Sequence, residues 1–159
     1  MLRPAAALGL LLAANPAFAY NNHRYTGKTG IGVGGGATGA GLSLKHFLTD
    51  EMAVQGVIGS WGEWGNGGLG LTADYLYEMP VLLDTQLGDL AWNVGPGLGL
   101  GVYAPTNSVA LTATGVVGLE LAFGPIPLDL VVEYRPTLVF VPEVYFDPID
   151  FTGHLRVFF

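Results

Sequence analysis

Hydrophobic and polar residues alternate with a period of two along most of this chain. The last ten residues, Asp150–Phe159, show it most clearly. Phe151, Gly153, Leu155, Val157 and Phe159 fall on one face, while Asp150, Thr152, His154 and Arg156 fall on the other, with Phe158 closing it. Alternation of this kind predicts a β-strand with two unlike faces. The pattern recurs upstream. Lys28–Gly35 sets Ile31 and Val33 against glycines, and Ala40–Phe47 sets Leu42 and Leu44 against Ser43 and Lys45. Met52–Trp61 opposes Val54 and Ile58 to Gln55. Gly68–Glu78 opposes Leu69, Leu71, Ala73, Tyr75 and Tyr77 to Thr72, Asp74 and Glu78. Leu90–Tyr103 carries Leu90, Trp92, Val94, Leu98, Leu100 and Val102 against Asn93 and glycines. Val109–Phe123 carries Leu111, Val117, Leu119, Leu121 and Phe123 against Thr112, Thr114 and Glu120. Leu128–Val141 then sets Leu130, Val132, Tyr134, Leu138 and Phe140 against Asp129, Glu133, Arg135 and Thr137.

The expectation is eight strands of roughly ten residues, the length a tilted strand needs to cross a bilayer. The connections are Gly36–Gly39, Leu48–Glu51, Gly62–Gly67, Met79–Asp89, Ala104–Ser108, Gly124–Pro127 and Pro142–Pro148. Two prolines fall inside strands. Pro96 stands between Gly95 and Gly97, which predicts a bulge or kink, and Pro136 interrupts the seventh strand.

Composition decides what kind of barrel this is. Half of the residues are hydrophobic, only 12% are charged, and mean hydropathy is +0.45. The longest stretch without a charge, Leu90–Leu119, holds too many glycines and prolines for a spanning helix. Closed β-barrels are the other architecture that satisfies every backbone group in lipid. The charged residues settle which face is which. Lys45, Asp74, Glu120, Glu133, Arg135 and Arg156 all oppose the aliphatic face, and a wall of Leu, Val and Phe exposed to water is untenable. A soluble lipocalin-like barrel would reverse the two faces. In the membrane barrel, Tyr77, Trp92, Phe123 and Phe159 gird one rim of the wall, and Trp61, Phe140 and Phe151 the other. The net charge of −7 gives no footprint for nucleic acid.

The N-terminus reads as an export signal. Arg3 is followed by apolar Ala5–Ala14 and by Ala17-Phe18-Ala19, a small-x-small cleavage site. We therefore expect residues 1–19 to be a signal peptide, 20–27 a short periplasmic lead-in, and 28–159 an outer-membrane barrel. An even strand number returns both ends to the periplasmic side.

The ending in Phe159 resembles the terminal signature of bacterial outer-membrane β-barrels. The chain as a whole resembles the small eight-stranded proteins of the OmpA-transmembrane-domain and OmpX type, and more closely a family of short outer-membrane barrels. The matching pieces are Gly30-Ile31-Gly32-Val33, Gly41–Lys45, Ala73-Asp74-Tyr75-Leu76, Pro127-Leu128-Asp129-Leu130 with Glu133 and Pro136, and the aromatic end. The resemblance implies an all-β, eight-stranded, antiparallel up-and-down transmembrane barrel. It also implies a partner in the barrel assembly machinery, which would read Phe159, and contact with outer-membrane lipid. It implies no activity.

Chemical motifs are few. Gly30-x-Gly32-x-x-Gly35 has the dinucleotide spacing but lacks a preceding strand and a following helix. Gly27-Lys28-Thr29 imitates the end of a P-loop, but Asn22 stands where its first glycine is required. A lipid-A deacylase-type barrel carries His-x-Ser on a late strand; here that stretch is His154-Leu155-Arg156. Ser43, Ser60 and Ser108 lie on separate segments, and we expect none to be paired with His46 or His154. His154 reads as a hydrogen-bonded lumen residue and His46 as an interfacial one. The histidines and carboxylates lack metal-ligand spacing, so no metal or cofactor is expected. Glu63, Glu143, Asp147 and Asp150 make the outer loops acidic, which suits solubility, weak cation binding or an unknown surface partner.

The expected site is therefore the lumen. Eight strands leave an interior just wide enough for side chains to fill. Lys45, Asp74, Glu78, Glu120, Glu133, Arg135, His154 and Arg156 should form a charged cluster there. Strand pairing suggests Glu120 beside Glu133, with Arg156 or Arg135 between them. Gly30, Gly32 and Gly34 would leave room for a long arginine. The expected role is structural or surface-interacting, without enzyme activity. A lipid-modifying barrel enzyme and a narrow pore are the alternatives.

Overall fold

The computed structural model describes residues 28–36, 39–61, 67–103, 108–123 and 126–159. The expected signal peptide and lead-in lie outside the described residues, as do Glu63 and parts of four connections. The strands are β1 (Thr29–Gly36), β2 (Gly39–Phe47), β3 (Met52–Trp61), β4 (Gly68–Glu78), β5 (Leu83–Asp84), β6 (Gly88–Tyr103), β7 (Ser108–Phe123), β8 (Leu128–Tyr134), β9 (Thr137–Val141), β10 (Tyr145–Asp147) and β11 (Phe151–Phe158).

They form an eight-stranded antiparallel barrel. β1, β2, β3, β4, β6 and β7 are neighbours in that order, and β8 and β9 are successive halves of the strand beside β7. β11 pairs with β8 on one side and with β1 on the other, closing the barrel. Thr29, Phe47, Met52, Glu78, Phe123, Leu128 and Phe158 stand at the lower rim. Two short strands were not expected. β5 lies within the Met79–Asp89 connection and pairs with the lower part of β6 (Leu83↔Leu90). β10 lies within Pro142–Pro148 and pairs with β9 (Phe146↔Leu138). Each lengthens one rim by a hairpin-like flap, because the connection carries enough apolar residues to continue the sheet.

The closing seam depends on three glycines. Gly30 faces Phe158, Gly32 faces Arg156 and Gly34 faces His154. A Cβ on Gly30 would strike the Phe158 ring, on Gly32 the backbone of Leu155 and Arg156, and on Gly34 the His154 imidazole. Every inward side chain of β11 from Phe158 to His154 thus lies over a β1 position with no side chain. The expected room for a long arginine is there.

The prolines behave differently from expectation. No bulge forms at Pro96. Pairing between β6 and β7 runs without a shift through Gly95↔Val116, Pro96↔Gly115 and Gly97↔Thr114. On the β4 side the ladder only lapses, between Asp74↔Gly97 and Tyr77↔Val94, and resumes in the same register. A proline lacks one N–H and so interrupts one neighbour only; the other ladder carries the strand through. Pro136 does divide its strand into β8 and β9, while its carbonyl still accepts a 3.0 Å hydrogen bond from the Gly115 N–H. Above it β9 exchanges β11 for β10. Among the described residues a register shift falls farther along this pairing, between Leu111 and Thr112.

The faces separate as the alternation predicts. Ile31, Leu42, Leu44, Ile58, Leu71, Leu100, Leu119, Val132 and Leu155 all point outward and are exposed, with Val33 at 63% and Leu98 at 67%. Inside, an apolar plug seals the lower end: Phe47, Ala53, Ala122 and Phe158 meet there, joined by Leu76 and Val116. The Phe47 and Phe158 rings lie 5.7 Å apart and tilted, a favourable aromatic geometry.

Candidate functional site

Beside and above the plug the lumen is polar. All eight predicted residues, Lys45, Asp74, Glu78, Glu120, Glu133, Arg135, His154 and Arg156, are buried there. Seven occupy inward positions of their strands, and Arg135 keeps the inward parity of β8 in the break before β9, so alternation brings all of them to one space. Their partners, however, come from across the barrel and form two groups.

The lower group centres on Lys45 and Arg156. Lys45 Nζ lies 2.8 Å from Glu78 Oε1, forms a short ion pair with Glu120, and sits 4.6 Å above the Phe47 ring. Arg156 donates through Nε to Asp129 (3.0 Å to Oδ2), places Nη2 2.9 Å from the same oxygen, and donates through Nη1 to Gln55 Oε1. The upper group centres on Arg135. Its guanidinium grips Asp74 with two hydrogen bonds, of 2.9 and 2.8 Å, and donates a 2.7 Å bond to Glu133. Gln55 joins the groups, because its Nε2 also donates to Glu133 (2.8 Å) and Asp74 (3.2 Å).

This arrangement corrects the expected pairing. Glu120 does not share a cation with Glu133: it faces Val131 across the ladder, and Glu133 faces Gly118. Lys45 holds Glu120, Arg135 holds Glu133, and Arg156 serves neither. The carboxylate that Arg156 serves is Asp129, fully buried and left out of the expected cluster. Asp129 and Gln55 both stand at inward positions, and that parity was the signal that could have included them. Gly97 has a part as well, since a Cβ there would strike the Asp74 carboxylate.

The expectation that no serine meets a histidine is also overturned. Ser43 Oγ lies 3.0 Å from His154 Nδ1, and His154 Nε2 lies 3.3 Å from Glu133 Oε2. The contact joins β2 to β11 over β1, which Gly34 permits by having no side chain. His46 is half-buried and hydrogen-bonds the Thr29 hydroxyl at 2.9 Å. Asn93 is fully buried, and its carboxamide makes no hydrogen bond among the described residues. Phe159, 70% exposed, exchanges backbone hydrogen bonds with Thr29. Among the described residues no group of three or more His, Asp or Glu is placed to hold a metal ion.

At the upper end a small cavity of about 40 Å³ opens over the Arg135 group, lined by Val57, Gly59, Gly70, Thr72, Arg135 and Thr152 among others. It has room for two or three waters. On the outer wall a broader apolar trough of about 710 Å³ lies over Pro96, between Val54 and Tyr75 on one side and Leu138 and Phe146 on the other. Fold and site together define a small β-barrel with a charged, side-chain-filled lumen. Comparison with known proteins adds no relative: no family model, curated protein or solved structure matches the chain.

Proposed function

We propose that this protein is an integral barrel of the bacterial outer membrane, with lipid against its wall, a lumen closed by its own side chains, and a structural or surface-interaction role. One observation carries the reading: the two faces are inverted relative to a soluble barrel. Buried Lys45, Arg135 and Arg156 lie inside with the buried carboxylates of Asp74, Glu78, Glu120, Asp129 and Glu133, while most leucines and valines of the wall face out. An apolar surface of that extent is unstable in water and suits hydrocarbon. The exposed aromatics support the same setting, with Tyr77 at the lower rim and Phe140, Tyr145, Phe146 and Phe151 toward the upper one.

The filled lumen separates this reading from that of a narrow pore. Ions crossing the barrel would have to part the Arg135–Asp74 and Lys45–Glu120 contacts and then pass the Phe47–Phe158 plug. The purified barrel, reconstituted into a planar lipid bilayer, is expected to give no steady conductance. Stable, stepwise currents from the wild type would replace the closed-lumen reading with that of a pore.

A further inference from the structure

The trough on the outer wall forms over a row of outward positions that carry almost nothing. Pro96 faces Gly115 across β6 and β7, and the Gly115 N–H donates to the Pro136 carbonyl. Two proline rings thus flank a position with no side chain. In the next outward row Ala73 and Ala113 bear only methyl groups on either side of Leu98. Larger side chains stand at the margins, Val54 and Tyr75 on one side and Leu138 and Phe146 on the other. Pro96 and Gly115 fall near the middle of their 16-residue strands, so the floor lies at mid-wall.

The chemistry of the trough suits hydrocarbon. Every polar side chain that borders it already has a partner. Gln55 bonds Glu133 and Arg156, and Asp74 bonds Arg135. Thr114 bonds Thr137 at 3.0 Å, and the Tyr75 hydroxyl donates to Met52 Sδ at 2.7 Å. Fewer residues line the trough than the roughly 20–30 a side that a specific protein interface engages, which argues against a second copy. Its volume of about 710 Å³ falls instead in the range of a site for one small, mostly apolar ligand.

The charges nearby select the head group. Val54 and Tyr75 lie two and three residues from the lower ends of β3 and β4, so this margin is near the lower rim. Asp50 and Glu51 stand there, in the turn before β3. Among the described residues the only Lys or Arg outside the lumen is Lys28, next to β1 and across the barrel from β6. An anionic head group would meet repulsion and no cation, whereas an ammonium would meet two carboxylates. We propose that the trough seats one acyl chain of a zwitterionic, ammonium-headed phospholipid of the lower leaflet. The seat rests on the membrane setting proposed for the barrel.

The test uses the full chain, folded into vesicles of equal parts phosphatidylethanolamine and phosphatidylglycerol with identical acyl chains. The barrel is extracted in mild detergent and weighed intact by native mass spectrometry. The expected result is one phosphatidylethanolamine retained per chain. A Cβ on Gly115 would meet only Pro136 Cγ, at an ordinary 3.7 Å, so Gly115→Leu should fold and fill the floor. Lipid retention should then fall by about tenfold or more, since the leucine displaces several methylene groups. Gly153→Leu, an equal change on the outer face of β11 away from the trough, should retain lipid as the wild type does. Equal retention of phosphatidylglycerol, a paired chain in place of lipid, or Gly115→Leu retaining as much as the wild type would each overturn the proposal. A wild type that enters the vesicles and emerges bare also overturns it, and leaves the membrane reading intact. A chain that never enters the vesicles defeats both.

Discussion

Arg156→Ala is expected to lower the stability of the folded barrel by about 3–5 kcal/mol, the usual consequence of breaking a buried ion pair from one side. Arg156 is wholly buried and contacts Asp129 through two nitrogens and Gln55 through a third. Truncation would leave the Asp129 carboxylate in a low-dielectric interior with no cation of its own. The stranded charge, more than the lost contact, drives the effect. Asp129→Asn in the same chain should therefore recover much of the loss, with a coupling energy above about 1 kcal/mol in the double-mutant cycle. Glu133→Gln should not, since Glu133 belongs to Arg135. Urea unfolding of barrels folded in micelles reads all four corners of each cycle. Additive Arg156 and Asp129 effects would remove this pair from the account.

Lys45→Met is expected to be at least as damaging, again by about 3–5 kcal/mol. The single ammonium serves two carboxylates, Glu78 and Glu120, that come from strands on different parts of the wall. Methionine keeps most of the side chain's volume, so the experiment isolates charge from packing. Without the ammonium the two carboxylates repel in a space that water reaches poorly. Adding Glu120→Gln should restore a large part of the stability by removing one of them. A Lys45→Met barrel within about 0.5 kcal/mol of wild type would show that the lower group carries no net stabilisation.

The two pairs show where the sequence was legible. Period two states which face a residue takes, and the alternation placed every predicted charge in the lumen. It also revealed the seam: glycines at 30, 32 and 34 are the positions that lie under Phe158, Arg156 and His154. Period two does not state height. Whether Arg156 meets Asp129 or Glu133 depends on strand tilt and on the register between strands distant in the chain. Lys45 and Glu120, 75 residues apart, are joined only by that geometry. The Ser43–His154 contact was hidden for the same reason, since it spans 111 residues and passes over an intervening glycine strand. β5 and β10 escaped notice because strands of two and three residues leave almost no alternation to read. At Pro96 the local signal misled: the flanking glycines suggested a distortion, while continuous pairing with β7 holds the strand in register.

If the apolar wall faces lipid, cell fractionation will place the protein in a membrane. Membranes from a Gram-negative host expressing the full chain would be separated by density and washed with concentrated urea. The protein is expected to remain in the outer-membrane fraction through the wash and to migrate as a compact form on unheated gels. Recovery as a folded, monodisperse protein in the soluble fraction without detergent would contradict it.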